Sequence, residues 1–103
     1  DAHALAEQVM ARPPFAPYFA GWPGPWEFAS AEVTAARLAA AGFVDIATEV
    51  VPAPTTLATE ADYRAFVTTV IYHPHLAQLP DALHARFLDE VTALAAAADP
   101  PFT

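Results

Sequence analysis

Few side chains in this 103-residue chain are equipped for chemistry, and their types narrow the options. Cysteine is absent, which removes thiol nucleophiles, disulfides and thiolate metal sites. The sole serine, Ser30, precedes a helical run and reads as a cap, so no Ser-His-Asp arrangement is credible. His73-Pro74-His75, with His84 beyond, invites a metal reading. Zinc, however, takes three or four ligands in fixed geometry, and no cysteine or local carboxylate completes this set. The corner from Tyr72 through His73 to His75 instead offers hydrogen bonding or proton acceptance near neutral pH, while helix termination at Pro74 explains the same residues without a ligand.

Arg64 has two readings: a group that binds an acceptor anion, or a solvated partner for Glu60 one turn back. Residues 13–28, PPFAPYFAGWPGPWEF, hold five prolines, two glycines and six aromatics, too many breakers for either helical or strand periodicity. Tyr18, Trp22, Trp26 and Phe28 in this loop either wall an acceptor pocket or anchor the loop on the body; Phe15 and Phe19 read as core. The carboxylates Glu60, Asp62, Asp81, Asp89 and Glu90 read as solvated helix surface, and no residue is identified as a catalytic base.

The elements that must position these groups are mostly helical. Leu5, Val9 and Met10 set a short helix over residues 2–12, ended by Pro13-Pro14. Ser30 caps a second over 31–41, with Glu32 in its first turn and Gly42 as its C′ residue. Thr59, with Asp62 three residues on, opens a third over 60–72, whose Tyr63, Phe66, Val67, Val70 and Ile71 form one apolar stripe. Pro80-Asp81 opens a fourth with Leu83, Phe87, Val91, Leu94 and Ala98 inward. Between them, Val44, Ile46, Thr48 and Val50 alternate with Asp45, Ala47, Glu49 and Val51, which predicts a β-strand over 44–51. A lone strand leaves both edges unpaired, so the expectation is a piece of a larger sheet protein or a chain that self-associates through residues 44–51.

Composition sets outer limits. Twelve Asp and Glu against four Arg and no Lys give a net charge of −8 and disfavour nucleic acid and anionic membrane surfaces, both of which call for clustered cations. Hydrophobic residues at 55% supply one modest core, and 26 alanines favour helix almost everywhere. The longest uncharged apolar stretch, 66–79, is too short and too broken to span a bilayer, and no signal peptide is read at the start.

Two sets of residues resemble a known family. Trp26-Glu27-Phe28-Ala29-Ser30, then Val33, Leu38 and Gly42-Phe43 ahead of the alternating run, resemble the region around the last sheet-packing helix of class I S-adenosylmethionine-dependent methyltransferases. Phe66-Val67-Thr68-Thr69, Pro74-His75-Leu76, Leu79-Pro80 and Phe87-Leu88 followed by Glu90-Val91 resemble the helical insertion of the trans-aconitate methyltransferase group. The resemblance implies an α/β parent with a Rossmann-like methyltransferase sheet, of which this chain is mostly helical: about four helices and one strand, an incomplete sheet with a helical cap. Residues 1–57 would be the C-terminal part of that fold and 58–103 the cap. It implies a cytoplasmic enzyme that methylates a small-molecule acceptor, with Tyr18, Trp22, Trp26, Phe28, Arg64, Tyr72, His73 and His75 facing the acceptor and the remainder of the fold as partner. Glycines only at 21, 24 and 42 cannot form the family's glycine-rich turn, so this chain alone is expected to be inactive and to bind no S-adenosylmethionine. His73 also stands where the family carries a strongly basic residue suited to an acceptor carboxylate, which counts against a tricarboxylate acceptor. The competing reading is a non-enzymatic helical module that binds a partner or a second copy.

Overall fold

The computed structural model describes residues 1–25 and 29–103. Among the described residues six α-helices follow one another: α1 (Ala2–Met10), α2 (Ala16–Phe19), α3 (Ala31–Ala40), α4 (Glu60–Phe66), α5 (His73–Ala77) and α6 (His84–Ala97). A π-helical turn, Val67–Ile71, joins α4 to α5, and a 3-10 turn, Asp81–Leu83, leads into α6.

The caps form where side-chain chemistry places them. The Ser30 hydroxyl accepts from the Val33 amide at 3.1 Å and the Thr59 hydroxyl from the Asp62 amide at 3.1 Å, satisfying donors that the first helical turn leaves over. Gly42 takes φ of 96°, so the Phe43 amide bonds Leu38 and the Gly42 amide bonds Ala39, the paired closure of a Schellman motif.

The expected single helix over 60–72 is divided. Residues 67–71 are five β-branched side chains in a row, which crowd the preceding turn, and the Thr69 and Thr68 hydroxyls bond the carbonyls of Ala65 and Arg64. The ladder widens to a π turn, closed by the Tyr72 amide on the Val67 carbonyl at 2.6 Å, and Pro74 starts α5 where a missing N–H costs nothing. The extra residue turns Tyr72, His75 and Leu76 into the core and leaves Val70 56% exposed, so the stripe narrows to buried Tyr63 and Val67 with Phe66 and Ile71 at its rim.

One core gathers Ala6 and Val9 from α1, Phe15 and Phe19, Tyr63 and Val67, Tyr72, Leu76 and Leu79, and Phe87, Leu88, Val91 and Ala95 from α6. α1 and α4 both lie along α6. The Arg12 guanidinium bonds Glu90 at 3.2 Å and the Tyr72 hydroxyl donates to the Ala2 carbonyl at 2.6 Å, tying the start of the chain to its end.

The expectation of an α/β piece is corrected here: among the described residues there is no strand, and the chain is all helical. Residues 44–51 are irregular, with Asp45 at φ of 54°, outside the range of a β ladder, and Val44 and Val50 each 81% exposed. Alternation alone does not form a strand, because its stability comes from a paired neighbour and a covered face, and no second segment supplies either. The segment is fastened instead by the Thr48 hydroxyl on the Ala31 carbonyl at 2.7 Å. α3 buries none of its residues, and the radius of gyration is 16.6 Å, where a compact chain of this length has about 13 Å. No helix among the described residues is long and apolar enough to cross a membrane.

Candidate functional site

Two clefts flank the first turn of α1. The larger, of about 800 Å³, is lined by Asp1, His3, Glu7 and Met10 of α1 and its cap, by Trp22 to Pro25 of the loop, by Val51 and Ala53, and by His75 of α5. The smaller, of about 460 Å³, lies against Tyr63, Phe66, Val67 and Ile71, with residues 53–55 and the C-terminal turn as its far wall.

His75 is the most unusual group at either cleft. Its ring is only 3% exposed and is enclosed by Trp22 at 5.1 Å, Tyr72 at 5.3 Å, Phe87 at 6.2 Å and Phe19 at 6.4 Å between ring centroids. Nδ1 is itself fully buried and makes no hydrogen bond of good geometry, its ring being approached only by the Ile71 carbonyl. Burial pushes the imidazolium pKa down to about 4, the neighbouring His3 adds to the effect, and the Ile71 carbonyl one turn back opposes it. The ring is therefore neutral at pH 7, with one N–H and one lone pair for hydrogen bonding.

Tyr72 stands behind it, fully buried, its phenol pKa raised by burial and by the nearby Tyr63. Tyr63 is shifted in the same direction by burial, with Tyr72 opposing, and its hydroxyl finds no partner of good geometry. These two phenols act as neutral packing groups.

Of the residues singled out from the sequence, Trp22, Tyr72 and His75 come together. Arg64 lies elsewhere: its guanidinium bonds Asp89 of α6 at 2.6 Å and the Ala85 carbonyl at 3.5 Å rather than Glu60, and it lines neither cleft. Tyr18 is 46% exposed and His73 is exposed, and neither lines a cleft. Trp26 and Phe28 lie outside the described residues. The histidines of the metal reading do not converge: His84 Nε2 sits 3.0 Å from the Leu79 carbonyl while His75 is buried among rings, and among the described residues no group of three or more His, Asp or Glu could hold a metal ion. Sequence reasoning missed His3, Glu7 and Met10 as cleft residues. Their i, i+4, i+7 spacing on α1 was a visible signal, but only packing shows that this face borders a cavity.

Gly21 and Gly24 lie in the loop and Gly42 closes α3, so among the described residues no glycine opens a helix. No family model, curated protein or solved structure matches the chain.

Proposed function

We propose that this chain is the acceptor-side part of an S-adenosylmethionine-dependent methyltransferase acting on a small molecule, with the larger cleft holding the acceptor. The observation that carries the reading is His75: a neutral, nine-tenths buried imidazole walled by Trp22 at the edge of a cavity of ligand size. The residue patterns 26–43 and 66–91 supply the methyltransferase part of the reading, and the cofactor belongs to residues outside this chain. Within the chain, Trp22 shapes the acceptor's face and His75 fixes its orientation by hydrogen bonding, the positioning on which transfer to a methyl acceptor depends. With its proton affinity so low, His75 is a poor base at neutral pH.

Titration calorimetry of the chain with S-adenosylmethionine is expected to give no saturable heat, whereas the product of the gene that encodes it transfers labelled methyl to a small-molecule fraction. Trp22→Ala in that product should raise the acceptor KM about tenfold with little change in kcat, since a wall contributes binding more than chemistry. A gene product without transfer activity, or binding to the isolated chain tighter than about 100 μM, overturns the reading.

A second reading, a non-enzymatic interaction module, draws on one observation: Phe43, Val44, Val50 and Val51 are each at least 62% exposed on an irregular segment. Sedimentation velocity should then show concentration-dependent self-association that Val50→Lys weakens. A chain that stays monomeric at every concentration rejects it.

A further inference from the structure

The charges on the larger cleft restrict what it can hold; this step rests on the reading of that cleft as the acceptor site. Its acidic side chains are Asp1 and Glu7, and among the described residues no arginine lines it. Arg64 and Arg12 are engaged with Asp89 and Glu90, and Arg86 stands 3.4 Å from Glu90. Beside the carboxylates lie the half-buried indole of Trp22, the thioether of Met10 and the His75 ring. An indole face next to a carboxylate is a favourable setting for an organic cation, because the ring quadrupole and the anion act with the same sign. A carboxylate ligand would meet like charge there, with no guanidinium to offset it.

We propose that the larger cleft takes a small organic ammonium compound, its cationic nitrogen held by Glu7 and the Trp22 ring and a polar group of the same molecule hydrogen-bonding the His75 ring.

Three probes of one shape and different charge test it: phenethylamine as cation, 2-phenylethanol as neutral molecule and 3-phenylpropionate as anion, each titrated into the ¹⁵N-labelled full chain while the indole and imidazole resonances of Trp22 and His75 are followed. Phenethylamine is expected to saturate at least about tenfold more tightly than 3-phenylpropionate, and Glu7→Gln should weaken the amine about tenfold while leaving 2-phenylethanol unchanged. Glu7 is exposed on α1, and an unchanged melting temperature of the variant shows that the fold is kept. If the anion binds as tightly as the amine, or Glu7→Gln has no effect, the cation assignment falls and the cleft remains an acceptor site. If none of the three moves the Trp22 or His75 resonances, the cleft reading falls with it.

Discussion

Phe87→Ala should destabilise the fold by about 3–5 kcal/mol, a large part of the 5–15 kcal/mol that holds a domain of this size. Phe87 is fully buried at the meeting point of the aromatic core, edge-on to Phe15 at 5.5 Å and to Tyr72 at 5.9 Å, and within 5.9 Å of Phe19. Truncation would leave a void bounded by four rings, those of Phe15, Phe19, Tyr72 and His75. The core is also small: α3 contributes nothing to it, so no second layer compensates. Urea unfolding followed by far-UV circular dichroism checks this through the midpoint. Phe66, the centre of the stripe legible in the sequence, is only partly buried at the rim of the smaller cleft, so Phe66→Ala is expected to lose about half as much. Equal losses at the two positions would place the centre of the core elsewhere.

Acidification should unfold the protein in a window set by His75. Its pKa in the fold is about 4, below the ordinary value of 6.5, so above pH 6.5 the ring is neutral in both states and has no effect. As pH falls from 6.5 towards 4, the unfolded chain takes up a proton that the folded chain refuses, and stability declines. The loss approaches about 3 kcal/mol near pH 4 and then levels off. Among ionisable groups, His3 acts on the ring and Tyr72 packs against it, while Asp1 and Glu7 line the cleft it borders; Phe19, Trp22 and Phe87 complete the enclosure without charge. Urea midpoints measured from pH 7 to 4.5 should show the decline in the parent protein and a shallower one in His75→Gln. Identical slopes in the two proteins would assign the pH dependence to other groups.

The sequence by itself determined what local chemistry decides. Ser30 and Thr59 cap because their hydroxyls reach amides three residues on, Gly42 ends α3 because it accepts φ of 96°, and Pro80 marks a new start because it cannot donate to a preceding turn. Phe15 and Phe19 could be read as core from their place in a proline-stiffened loop. Tertiary structure decided everything that depends on a partner distant in sequence. The run 44–51 alternates correctly and still is no strand, because a ladder exists only between two segments and the second is absent among the described residues. Arg64 pairs with Asp89, 25 residues away, rather than Glu60, four residues away, because α4 and α6 pack side by side. His75 and His73 stand two residues apart on α5 and so face different sides, and burial, not residue type, lowers the proton affinity of His75. Trp22 meets it across 53 residues of chain, and that closure carries the candidate site: side-chain type is written locally, but which side chains share a cavity is fixed by packing alone.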